Sequence, residues 1–121
     1  MSDDWEVFSR LPRQRFYILD EDHKPVEADI RTWGRWFGDT QGRIVDWSGS
    51  DSLFVSTVFL GIDHRMWGNG PPILFETMVF RNGSGDEQER YSSWDDAEAG
   101  HKAMCRKVFG KLEVGDGQLK R

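Results

Sequence analysis

Two apolar runs decide the fold: Leu53–Ile62, LFVSTVFLGI, and Ile73–Phe80, ILFETMVF. In the first, Leu53, Val55, Thr57 and Phe59 fall on one alternating face, and Phe54, Ser56, Val58, Leu60 and Ile62 on the other. Both faces read as apolar, so this strand is expected in the middle of a covered sheet. The second run has the same character with one exception, a carboxylate: alternation sets Glu76 on a face with Leu74, Met78 and Phe80. Between the runs lies DHRMWGNGPP, longer than a tight hairpin needs. After Phe80, Asn82-Gly83-Ser84-Gly85 is a strong turn signal, and Glu87–Ser92 returns as a polar edge strand.

Working outward, Arg43–Trp47 alternates as a strand. Phe16–Leu19 is a short β-prone run, closed by the polar turn Asp20–Pro25. A short helix is expected over about residues 27–37, with Ile30, Trp33 and Phe37 on one face, Trp36 widening it, and Glu27 and Asp29 favouring its N-terminal dipole. Gly38 is placed to end it. Gly34 costs about 1 kcal/mol against Ala inside a helix, which suggests a close neighbour there. A second helix starts at Ser93, where Ser93 and Asp96 form a capping-box-like pair. Asp95, Asp96 and Glu98 crowd its first turn and Arg106 and Lys107 its last, while Ala97, His101, Met104 and Val108 form an inward stripe up to Gly110. The order β-α-β-β-β-β-α predicts an α+β fold, an antiparallel sheet of about four to five strands with two helices packed on one face.

At 121 residues the chain fits a single domain over 1–121, with 1–14 and 110–121 expected as mobile tails. Six Trp and eight Phe among 121 residues make it too aromatic for a disordered chain. The net charge of −5 makes it too acidic for a general nucleic-acid binder. No apolar run approaches the ~18 residues of a membrane span, and MSDDWEVFSR does not read as a signal peptide. The single cysteine, Cys105, excludes an internal disulfide and suits a reducing cytosol.

Phosphate loops, dinucleotide fingerprints, Cys-x-x-Cys pairs and nucleophile elbows are all missing, so no catalytic residue and no cofactor is assigned. Three constellations remain. Glu76 on an apolar strand is either an acid/base or ligand carboxylate, or one half of a structural pair with an arginine. His64, Glu76, His101 and Cys105 supply metal-type donors, but their spacing is not diagnostic and no metal is assigned. A core histidine held by a hydrogen bond explains His101 equally well. The loop His64–Pro72 presents Arg65 and Trp67, which suit stacking and a forked phosphate contact, or a protein partner. Trp33, Arg35 and Trp36 make a second aromatic–basic cluster. Core packing accounts for Trp33, Trp47 and Trp94, so Trp5, Trp36 and Trp67 are surplus to the fold.

The segments ADIRTWGRWF, VSTVFLGIDH, GPPILFETMVF and ERYSSWDDAEAGHKAM resemble a family of small proteins encoded by bacteriophages and prophages, over roughly Phe16 to Val108. The resemblance implies a phage accessory protein made in the bacterial host cytoplasm, and it brings no catalytic residues with it. The leading expectation is a non-enzymatic host-interaction or anti-defence protein. It would either block a host protein or sequester a nucleotide-derived immune signal, with bases stacked on aromatic faces and phosphates paired by Arg35, Arg65 or Arg90. Candidate binding residues are Arg35, Trp36, His64, Arg65, Trp67, Glu76, Arg90 and His101. Competing readings are a small hydrolase using Glu76 with His64 or His101, and a minor virion component. No membrane or direct nucleic-acid contact is expected, and the aromatic excess suggests a homodimer.

Overall fold

A computed structural model describes residues 15–39, 41–65 and 68–110. The two ends expected to be loose, apart from Gly110, lie outside the described residues, and so do Trp5, Met66 and Trp67. The chain runs β1 (Phe16–Leu19), β2 (Pro25–Ala28), α1 (Ile30–Asp39), β3 (Ile44–Ser50), β4 (Leu53–Phe59), β5 (Phe75–Arg81), β6 (Ser84–Tyr91) and α2 (Trp94–Phe109). Strands β3 to β6 form a four-stranded antiparallel sheet in sequence order, and β1 and β2 form a separate hairpin. The α+β class follows, with both helices on one side of the sheet.

Local chemistry explains the joints. Asn82 and Gly83 both adopt positive φ, 51° and 86°, as the two central residues of a primed hairpin turn require. Ser93 caps α2 by accepting the Asp96 N–H at 3.1 Å, and Gly110 closes it at φ 87° with its N–H on the Arg106 carbonyl. Helix α1 begins three residues later than its apolar pattern suggests, because Pro25–Ala28 is drawn into a strand opposite Phe16–Leu19. Asp29 is then its N-cap: the carboxylate accepts the Thr32 N–H at 2.8 Å, and that bond holds its pKa below the usual carboxylate value. Gly38 does not end α1, which runs to Asp39. Nor does Gly34 admit a close neighbour, as the space around it is open. One glycine that does is Gly61, at φ 79°, over which the Trp33 and Phe37 rings lie.

Helix α2 crosses all four strands of the sheet. Under it, Val55, Val79, Met104 and Cys105 form one core cluster. A second, at the end of the sheet, joins Tyr17, Leu19, Phe59, Leu74, Phe75 and Ala97, with Trp36 and Phe37 of α1 packed against it. The hairpin reaches this end through the Tyr17 N–H on the Gly61 carbonyl and a bridge between Phe16 and Ile62. Leu74 sits in this core just before β5 and is fully buried, so it leaves the alternation that would place it beside Glu76.

Candidate functional site

The face of the sheet beneath α2 carries an unusual amount of polar chemistry. Val55, Thr57 and Phe59 of β4, Phe75, Thr77 and Val79 of β5, and His101 of α2 are all buried. Their polar atoms satisfy one another in a line across the sheet. Tyr91 Oη donates to Thr77 Oγ1 at 3.1 Å. Thr77 and Thr57 hydroxyls meet at 2.6 Å, and Thr57 reaches His101 Nδ1 at 2.7 Å. On the far side, Ser48 Oγ lies 2.9 Å from His101 Nε2, and an Asp46 carboxylate oxygen stands 3.8 Å from the same nitrogen. Each hydroxyl and both ring nitrogens therefore have a partner, and a hydroxyl can donate to one neighbour while accepting from the other. Mid-helix Gly100 makes room for the relay, since a Cβ there would collide with the Tyr91 ring. Burial, followed by the Glu89 carboxylate, pushes the Tyr91 phenol above its usual pKa, with the Thr77 hydrogen bond opposing.

This relay holds a Ser, a His and an Asp, but not in a hydrolytic arrangement. In a catalytic triad the acid orients the ring nitrogen opposite the one that takes the serine proton. Here Asp46 and Ser48 approach the same nitrogen, Thr57 holds the other, and Ser48 is buried. What the arrangement does is lock α2 to the sheet at one register.

The opposite face is built differently. The strand register sets Ile44, Val58, Glu76 and Arg90 in one row and Trp47, Ser56, Met78 and Gln88 in the next. A third row holds Gly49, Phe54, Phe80 and Gly85. No described helix or strand lies over these rows, and Trp47, Phe54, Val58, Met78 and Phe80 are each half-buried. Trp47 stacks on Phe54 at 5.3 Å between centroids, and Phe54 on Phe80 at 4.9 Å, with interplanar angles of 28° and 20°. The rings spend their faces on each other and turn their edges outward. Ser56 lies at the centre, ringed by Phe54 and Val58 along its own strand and by Trp47 and Met78 on either side. Ser56 is thus a small side chain among larger apolar ones.

The residues singled out by sequence fall in separate places. Glu76 and Arg90 are brought together, with Arg90 Nε 3.1 Å from Glu76 Oε2, so the carboxylate is one half of an arginine pair on the uncovered face. His101 lies across the sheet from Glu76, which separates that one pairing of the hydrolase reading. The four metal-type donors are divided likewise: Glu76 is on one face, His101 and Cys105 are beneath α2, and His64 Nδ1 bonds the Ile62 carbonyl at 2.7 Å. Among the described residues no three such donors converge. Arg65 works inside its own loop, with Nε on the Pro71 carbonyl at 2.9 Å. Asp63 clamps the same loop by accepting from the Arg65 and Ile73 N–H groups. Trp36 packs edge-on against Phe59 at 5.7 Å, and Arg35 is exposed on α1. Trp67 lies outside the described residues.

The side chains missed by sequence reasoning are those of the uncovered face, Trp47, Phe54, Met78 and Phe80. Trp47 is not core; it opens the aromatic stack. The available signal was the pairing of Phe54 and Phe80 at equivalent positions in two adjacent apolar strands. Their shared face could equally have been covered, so the pairing alone did not reveal exposure. Comparison with family models, curated proteins and solved structures finds no match.

Proposed function

We propose that this is a non-enzymatic phage accessory protein of the bacterial host cytoplasm that acts by stoichiometric protein contact, with the uncovered sheet face as its docking surface. The observation that carries this reading is the stack of Trp47, Phe54 and Phe80 beside Ser56, an apolar patch with no described helix or strand over it. Patches of this kind, rich in aromatic and Met side chains and rimmed by polar groups, are the usual anatomy of protein interfaces.

Two features favour protein contact over nucleotide capture. The stacked rings offer edges, whereas a base needs an open ring face. The shallow groove of about 270 Å³ between β6 and α2 is lined by Glu89, Tyr91, Gly100, Ala103, Met104 and Lys107, and the Lys107 ammonium is already paired with Glu87 at 2.8 Å. The acidic side of the molecule adds a second surface suited to a basic host protein. The stack of His23 on Trp94, at 3.8 Å, brings the turn Asp20-Glu21-Asp22 beside Asp95, Asp96 and Glu98 at the start of α2.

The test is chemical crosslinking in infected cells together with heat release of ligand from the purified protein. A protein crosslinked in stoichiometric amount to the wild type, and lost in Ser56→Arg, is the expected result. A nucleotide recovered in stoichiometric amount from the purified protein would overturn this reading in favour of signal capture.

A further inference from the structure

We infer that the free edge of β6 takes an extended basic peptide segment as an added strand, with a Lys or Arg opposite Glu89 and an apolar side chain, two positions along, in the groove between β6 and α2. This edge is separate from the uncovered sheet face, and partner contact at one does not depend on the other.

The backbone is the first argument. Strand β6 is the outermost of the order β3-β4-β5-β6, and no described strand pairs with its free side. Every second residue of such a strand turns its N–H and C=O away from the sheet, which makes a template for another strand. The register shift between Val79 and Phe80 leaves Asp86 without a cross-strand partner, so a bulge disturbs the hairpin end of the edge. From Glu87 to Tyr91 the pairing with β5 is regular. This stretch is the part of the edge that can accept a ladder.

Charge and shape select the occupant. Three charges along the edge are matched within the chain: Asp86 with Arg81, Glu87 with Lys107 at 2.8 Å, and Arg90 with Glu76 at 3.1 Å. Glu89 is exposed and forms no ion pair among the described residues. A residue directly opposite it on an added strand points to the same side of the sheet, with its Cβ about 5 Å away. A Lys or Arg there meets the unpaired carboxylate, and an acid is repelled. The chain's net charge of −5 favours the same choice. Glu87, Glu89 and Tyr91 are register partners of Val79, Thr77 and Phe75, which are buried beneath α2, so they share the α2 side of the edge. On that side lies the groove of about 270 Å³, walled on the helix by Gly100, Ala103 and Met104. It falls short of the ~300 Å³ at which small-molecule pockets begin, but an apolar side chain opposite Tyr91 points into it. In strand addition the main-chain bonds give affinity, and pockets for alternate side chains give specificity.

Titration of the full chain with the end-blocked peptide Thr-Val-Thr-Lys-Thr-Val-Thr, followed by NMR, tests this. The peptide reads the same in both directions and sets a Val two positions either side of its Lys. Saturable binding with a Kd of about 100 µM is expected, and the outward amides of Glu87–Tyr91 should gain about tenfold protection from hydrogen exchange. Replacing the peptide Lys by Glu should weaken binding about tenfold, because like charges then lie opposite each other. N-methylation of its three central residues, which removes main-chain donors, should abolish binding. Glu89→Lys should invert the preference, so that the Glu peptide binds more tightly than the Lys peptide. Ala103→Phe fills the groove from an exposed helix position and should weaken the Lys peptide about fivefold. Lys102→Ala, also exposed on α2, should change nothing. No saturable binding at about 1 mM overturns the inference, and so does binding that survives both N-methylation and Glu89→Lys. If the peptide fails to bind while the crosslinked host protein is still lost on Ser56→Arg, strand addition at β6 fails and the docking reading of the sheet face stands.

Discussion

The two faces of β4 and β5 are made of much the same residues and do opposite things. Beneath α2, Val55, Thr57, Phe59, Phe75, Thr77 and Val79 are sealed, and the polar atoms among them are consumed in the relay from Tyr91 to Ser48. On the other side, Phe54, Val58, Met78 and Phe80 are no less apolar, yet no described helix or strand lies over them, and at the register-paired positions the charged groups are Glu76 and Arg90, which pair with each other. Apolar content does not separate a core from an interface here. What separates them is the internal satisfaction of polar atoms: the sealed face had to solve its hydrogen bonding within the chain, and the other has almost none to solve.

The contrast is broken most severely by Phe75→Ala. This fully buried ring packs against Phe59 at 5.2 Å and edge-on to Trp94, so the loss should be about 3–5 kcal/mol in urea unfolding. Phe54→Ala, on the uncovered face of the neighbouring strand, should cost less than half as much. Equal losses would mean the second face is also sealed.

His101→Leu ranks next. It removes the centre of the relay and strands the Ser48 and Thr57 hydroxyls, for a loss of about 2–4 kcal/mol. Adding Thr57→Val to it should recover part of the loss. A cost within the range of an exposed substitution would show that the relay contributes nothing to stability.

Gly100→Ala pits helix propensity against the Tyr91 ring. Propensity alone favours Ala by about 1 kcal/mol, whereas overpacking costs about 1–3 kcal/mol, so net destabilisation is expected. In a Tyr91→Ala background the sign should reverse.

A smaller effect is readable by pH. Because burial raises the Tyr91 pKa in the folded state, its contribution to stability is complete below the ordinary value of about 10 and is lost as pH rises through the folded value. Urea midpoints above pH 10 should therefore fall more steeply for the wild type than for Tyr91→Phe, and absorbance at 295 nm should follow the ionisation. Ser93→Ala, which removes the N-cap of α2, should be the mildest at about 1 kcal/mol. It should leave both faces, and any association through the uncovered one, unchanged.

Much of this was legible in the chain. Helix α2 could be read from Ser93 to Gly110 because cap, dipole charges and apolar stripe all agree, and each is a local property. The hairpin at Asn82-Gly83 is legible for the same reason. Helix α1 was placed three residues early because Glu27 and Ala28 suit a helix, while pairing with Phe16 and Tyr17 claims them for a strand. The site was less legible. Glu76 stands out in the sequence with two readings, and the choice between them depends on Arg90, fourteen residues away and adjacent only across β5 and β6. Periodicity puts Trp47 on a strand face and suggests core, because it says which residues share a face and not whether anything lies over it.

By itself, then, the sequence determined the elements, their order and the faces along each strand, because propensity, capping and alternation act over a few residues. Only the tertiary structure decided which face α2 would cover, that Ser48, Thr57, Thr77, Tyr91 and His101 would form one relay, and that Trp47, Phe54 and Phe80 would be left as a stack. Those outcomes depend on contacts between residues far apart in sequence, such as Ser48 with His101, 53 positions away. Such contacts exist only once the whole chain has folded.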